Sequence, residues 1–154
     1  MEHGISVISR LFAASLTLSL VLCWTAVRGV EQVVLVAGEN SPIENLSPLE
    51  LRKAYFGIVV RYDNQIIRPF RNLSDSQLNR IFLQSVVAMS ERSYERRLIS
   101  LTLKSGRPRP EDFTDQDVLV RALRDHPHSI SYMWRRDAER SICIKVIKLL
   151  WQEN

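Results

Sequence analysis

The sequence predicts one α/β domain built on a mixed sheet of about four or five strands flanked by helices. Three observations lead there. Val33 to Ala37 is an unbroken apolar, β-branched-rich run of strand length, the kind that is buried on both faces. Further runs of this kind alternate along the chain with well-capped helical patterns. The length, 154 residues, is that of a single domain.

After the first strand comes the turn-rich stretch Gly38 to Asn45. Ser47-Pro48-Leu49-Glu50 then reads as a helix start, with a capping hydroxyl, a proline at the first helical position and a glutamate placed to close a capping box. This helix is expected to run to about Phe56 and stop at Gly57 in a left-handed conformation. Asp63-Asn64 marks a turn, and Ile66 to Phe70 reads as the second strand. A second cap is expected at Ser74, with Gln77 three residues on. Leu78, Ile81, Phe82, Val86 and Met89 behind it share one helical face.

Ser90 separates that helix from another with a stripe of Tyr94, Leu98 and Leu101. Its outer face alternates Glu91, Arg92, Glu95, Arg96 and Arg97, the pattern of a solvated face rather than a nucleic-acid patch. Gly106-Arg107-Pro108-Arg109-Pro110 is a loop. Thr114 is expected to cap a fourth helix that turns Val118, Leu119, Ala122 and Leu123 inward. The helix breaks at His126-Pro127-His128. Ile130, Tyr132 and Trp134 alternate as in a strand, Ile142 to Lys148 makes the last strand, and LLWQEN trails from it. The expected order is β-α-β-α-α-α-β-β, with no repeat and no internal linker.

The chain is 45% hydrophobic and 25% charged, which excludes a disordered tail and a polytopic membrane protein. Its net charge of +4 is too mild for a committed nucleic-acid binder. Residues 1–29 read as an export signal: a short polar stretch ends in Arg10, an uncharged segment runs from Leu11 to Val27, and Arg28-Gly29 follow. The chain is therefore expected to be exported to the periplasm, with cleavage after Gly29, or else to stay anchored in the membrane through that segment. The remaining domain, residues 30–154, keeps one cysteine, Cys143, within Ile142-Cys143-Ile144; it reads as a small buried hydrophobe.

No catalytic signature is present: the chain lacks G-x-S-x-G, a P-loop, G-x-G-x-x-G and HExxH. No enzyme activity and no cofactor are expected. His126 and His128 are the histidines of the domain, and two ligands do not make a metal site. Anion binding has more support. Arg71 ends the second strand, and Ser74-Asp75-Ser76 opens a helix whose free amides and dipole favour an anion. On the residues alone, the alternative is that Ser74 serves only its helix and Arg71 faces solvent.

Residues 33–134 resemble the phosphate-receptor branch of the type II periplasmic solute-binding proteins, the substrate-binding components of ABC importers. The resemblance rests on Val33-Val34-Leu35-Val36 with Asn40-Ser41-Pro42, on Leu46-Ser47, Leu51-Arg52 and Tyr55-Phe56-Gly57, and on Ile67-Arg68-Pro69-Phe70-Arg71 with Ser74-Asp75-Ser76 and Phe82. It ends with Asp125-His126-Pro127-His128-Ser129-Ile130-Ser131-Tyr132. It implies a single lobe of that fold and a non-catalytic domain binding phosphate or a related oxyanion through Arg71, Ser74 and Ser76, with Asp75 in the same anion-binding segment. A role linked to phosphate uptake or sensing goes with it. The chain departs from the pattern where Asp75 and the pair Ser129 and Ser131 stand in place of glycine. It also resembles one lobe where full receptors clamp their ligand between two. The partners implied are the oxyanion and a second lobe, a second copy or an envelope protein. A protein-interaction module that has lost its ligand is the alternative.

Overall fold

The computed structural model describes residues 30–153, and the expected signal at residues 1–29 lies outside them. Seven strands and five helices follow in the order β1 (Gln32–Gly38), α1 (Pro48–Tyr55), β2 (Arg61–Tyr62), β3 (Gln65–Ile66), β4 (Arg68–Asn72), α2 (Ser76–Phe82), α3 (Glu91–Ser105), β5 (Glu111–Phe113), α4 (Gln116–Asp125), β6 (Ser129–Trp134), α5 (Arg135–Arg140) and β7 (Ile144–Gln152). Five strands form one sheet in the order β5-β4-β6-β1-β7; β2 and β3 make a separate hairpin. The sheet is mixed. β4 runs parallel to β5 and β6, while β1 is antiparallel to both β6 and β7.

β1 lies inside the sheet between β6 and β7, and from Val33 onward it is fully buried, as its apolar run demands. Its side chains alternate between two cores. Val33 and Leu35 join Tyr55, Phe82, Tyr94 and Tyr132 beneath α1, α2 and α3. Val34 and Val36 join Phe70, Leu119, Leu123 and Met133 on the face covered by α4 and α5. Each buried aliphatic side chain of this kind contributes about 1.5–3 kcal/mol. The period-two alternation of the strand thus defines the layers.

The first helix forms as its residues require. The Ser47 hydroxyl accepts from the Glu50 amide at 3.2 Å, and the Glu50 carboxylate accepts from the Ser47 amide at 2.8 Å. Gly57 takes φ +67°, and a Cβ there would lie 2.2 Å from the Pro108 carbonyl oxygen, so both conformation and space require glycine. Asp63 and Asn64 turn the β2–β3 hairpin at φ 49° and 64°.

Several expectations are corrected. Asp75, not Ser74, caps α2, and Asp115, not Thr114, caps α4. In each case a carboxylate one residue later reaches the free amides. α2 passes at Leu83–Val87 into a π turn that ends at Ala88 with φ 58°, which is why the apolar stripe runs on past the regular helix. Val118 is 42% exposed rather than inward-facing, and Cys143 is half-buried. β5 directly follows the expected loop, and its three residues have no apolar alternation to betray a strand. α5, RRDAER, is equally unmarked, having no apolar stripe beyond Ala138. LLWQ does not trail off but continues β7 to Gln152, held by β1 through a register with two irregularities.

Candidate functional site

The parallel strands β4, β5 and β6 end at Asn72, Phe113 and Trp134, and the helices α2, α4 and α5 each begin just beyond one of these ends. This is the edge at which open α/β sheets place ligands. The candidate residues Arg71, Ser74, Asp75 and Ser76 are all here, but they do not converge on one point.

Arg71 is 2% exposed, although an arginine at a strand end would ordinarily face water. Its guanidinium is accounted for inside the protein. Nη2 lies 2.7 Å from Oε1 of Glu95 on α3, and Nη1 lies 3.0 Å from Oδ1 of Asp112 on β5. The pairing of Arg71 with Asp112 across the parallel ladder brings the second carboxylate into reach. The guanidinium carbon sits 5.1 Å from the centre of the Tyr94 ring, a cation–π contact that tolerates the loss of water. Burial works against the charge, but Asp112 and Glu95 outweigh it and raise the Arg71 pKa further, so the group is a permanent cation. Nε alone has no partner. Glu95 is shared, its other oxygen lying 2.7 Å from Nη2 of Arg109.

Around this cation stands a set of buried tyrosines, each with its hydroxyl hydrogen-bonded inside the protein. The Tyr94 hydroxyl donates to the Tyr55 carbonyl at 2.6 Å, and the Tyr55 hydroxyl donates to the Phe70 carbonyl at 3.1 Å. The Tyr132 hydroxyl donates to Oδ1 of Asn79 at 2.8 Å. Burial pushes all three hydroxyls to higher pKa, so they remain protonated donors rather than acids of use near neutrality.

The start of α2 is also occupied from within. Oδ1 of Asp75 accepts from the amides of Gln77 at 2.8 Å and Leu78 at 3.1 Å. Its Oδ2 accepts from the Trp134 indole at 2.9 Å. The indole bond, ahead of the two amide bonds and Arg136, holds the Asp75 carboxyl below the usual carboxylate range against the cost of burial. The Ser74 hydroxyl donates to Oδ1 of Asn72 at 2.6 Å, and its amide donates to the same oxygen at 3.1 Å. Asn72 is buried and in turn donates to the Tyr132 carbonyl at 3.2 Å. Ser76 is exposed at the first helical position.

Two half-sites result: Arg71 with Glu95 and Asp112, and the α2 start with Asp75, Trp134 and Ser74. They share no polar partner. Sequence reasoning finds the cation and the helix start but misses Glu95, Asp112, Asn72 and Trp134. Glu95 reads along the chain as one of five alternating surface charges, and Asp112 lies on a strand with no local signal of its own. His126 sits away from these groups, its Nδ1 3.3 Å from Nη1 of Arg68, and among the described residues no cluster of three His, Cys, Asp or Glu could hold a metal.

No family model matches the chain, and no curated protein matches it. Solved structures do. An ABC-type phosphate transport receptor from Vibrio cholerae superposes with a TM-score of 0.55 at 11% identity, over 77% of this chain and 46% of the receptor. A possible phosphate binding protein from Planctomyces limnophilus superposes with a TM-score of 0.52 at 16% identity, over 77% of this chain and 41% of its own length. The chain thus spans less than half the length of either. The described residues have the α/β fold of a single periplasmic-binding-protein lobe.

Proposed function

We propose that the domain is an exported, non-catalytic binding lobe of the receptor kind, whose oxyanion seat is closed by its own carboxylate. The observation that carries this reading is Asp75 lying on the Gln77 and Leu78 amides, where the helix start would otherwise present free donors to an anion. The tethered carboxylate is an internal competitor, always present at high effective concentration. Phosphate or a related oxyanion is the ligand of this seat, held by the α2 amides, Ser74 and Ser76, and drawn by the cation of Arg71. The phosphate proteins of the same fold support that class of ligand.

The test is isothermal titration of residues 30–154 with phosphate at low salt, sulfate serving as comparator, in the native protein and in Asp75→Gly. Weak binding by the native protein, tightened at least tenfold in the variant (about 1.4 kcal/mol), is the expected result. Flat titrations in both would overturn it. A second reading has its own observation: both terminal nitrogens of Arg71 are already paired, and Arg71 shares no partner with the α2 start. On that reading the seat is purely structural and the lobe works as an envelope protein-interaction module. Flat titrations would favour it.

A further inference from the structure

A groove of about 280 Å³ lies on the α1–α3 side of the molecule, apart from the α2 start. Its floor is apolar, formed by Phe56, Met89 and Leu101, and its rim carries Arg52, Arg97 and Arg107. We propose that this groove binds a small amphiphilic anion: a phosphate or carboxylate group carried on a short aromatic or aliphatic body.

The fold assembles the groove from three elements. Arg52 stands in the last turn of α1, and Phe56 caps that helix. Arg97 and Leu101 lie one turn apart on α3. Arg107 follows the α3 cap Gly106, and its carbonyl accepts from the Thr102 hydroxyl at 3.2 Å, which pins the loop against the helix. The close approach at Gly57, where an added Cβ would lie 3.5 Å from the Arg107 Cβ, brings the end of α1 against this loop. Phe56 is in turn fixed by packing on Tyr94, with ring centres 5.7 Å apart.

The charge pattern identifies the ligand class. Among the described residues, no carboxylate lies within 4 Å of Arg52, Arg97 or Arg107, and no acidic residue lines the groove, so three cations meet there without an anion between them. Three like charges facing one groove repel one another, and an anionic group placed between them relieves that repulsion. Guanidinium groups present planar donor forks suited to carboxylate or phosphate oxygens. Inorganic phosphate would leave the apolar floor wet, and a neutral aromatic would leave the cations unpaired. A ligand with both parts satisfies both surfaces, which is the usual make-up of a small-molecule site. The groove is open to solvent, so binding weakens as salt rises.

The test uses phenyl phosphate as probe, with inorganic phosphate and phenol as its two halves, followed by NMR at low salt on residues 30–154. Saturable shifts of the Met89 methyl and of Leu101, with each half-ligand at least tenfold weaker, are the expected outcome. Arg97→Gln/Arg107→Gln, and separately Arg52→Gln, should each weaken binding at least tenfold while the amide spectrum stays dispersed. Asp75→Gly should leave the concentration dependence of the Met89 and Leu101 shifts unchanged while adding separate shifts at Gln77 and Leu78, which distinguishes the groove from the seat at α2. Absence of shifts at the groove, equal binding of phenol, unchanged affinity in folded arginine variants, or shifts confined to Gln77 and Leu78 would each overturn the proposal.

Discussion

At the scale of single residues, Asp75 and Arg71 are the two charged groups of the candidate site, and each is already answered from within. Asp75→Asn keeps an oxygen for the α2 amides and removes the charge, so it separates capping from electrostatics. The sign of its acid response follows from its lowered pKa. The stabilisation it provides is present above the ordinary aspartate value of 3.8 and is lost as pH falls through the lower folded value. Denaturation curves from pH 6 to pH 2 should therefore show the native protein losing more stability than Asp75→Asn below about pH 4. An identical loss in both would separate Asp75 from the acid response. Arg71→Met should destabilise the fold by about 2 kcal/mol in urea, since Glu95 and Asp112 lose their common cation while remaining partly solvated. A change below about 0.5 kcal/mol would mean that the pairs contribute nothing net. Neither arrangement is readable along the chain. Three potential caps stand in a row at Ser74-Asp75-Ser76, and only the capture of the Ser74 hydroxyl by Asn72 shows why the middle one serves. The partners of Arg71 lie 24 and 41 positions away, beyond any local pattern.

At the scale of elements, what the sequence makes legible is whatever carries its own local chemistry. β1 announces itself by a buried apolar run, α1 by a complete capping box, and the hairpin by Asp63-Asn64. Elements without such signals, β5 and α5, are held by their neighbours: β5 by its parallel ladder to β4, and α5 by contact with β1, β6 and β7. The junction between α1 and the loop after α3 rests on Gly57. Gly57→Ala should lower stability by about 1–2 kcal/mol, because it combines a left-handed backbone with a collision at the Pro108 carbonyl. Thermal melts would check this, and an unchanged midpoint would show that the junction yields. Ser47→Ala, which removes half of the capping box, should cost about 1 kcal/mol by the same measurement.

At the scale of the whole molecule, β5 and the nine-residue β7 form the two edges of the sheet, each without a further strand partner among the described residues. β7 is guarded in two ways. Its pairing with β1 carries two irregularities, and its lysines are turned onto the covering loop, Lys145 donating to the Ser41 carbonyl and Lys148 to the Leu46 carbonyl. Sedimentation at micromolar concentration should therefore find a monomer; a dimer broken by a proline in β7 would contradict this. Spanning less than half the length of the receptors it resembles in fold, the lobe leaves any anion at the α2 start exposed to water and to salt. On the proposed function, binding there is a contest between the solute and Asp75, and it can be watched directly at the amides both would use. The decisive measurement is an NMR titration with phosphate at low salt, following the Gln77 and Leu78 amides in the native protein and in Asp75→Gly. Saturable shifts of both amides, reached at a phosphate concentration at least tenfold lower in the variant, are the predicted result. Amides that do not respond in either protein would contradict an oxyanion seat in this fold.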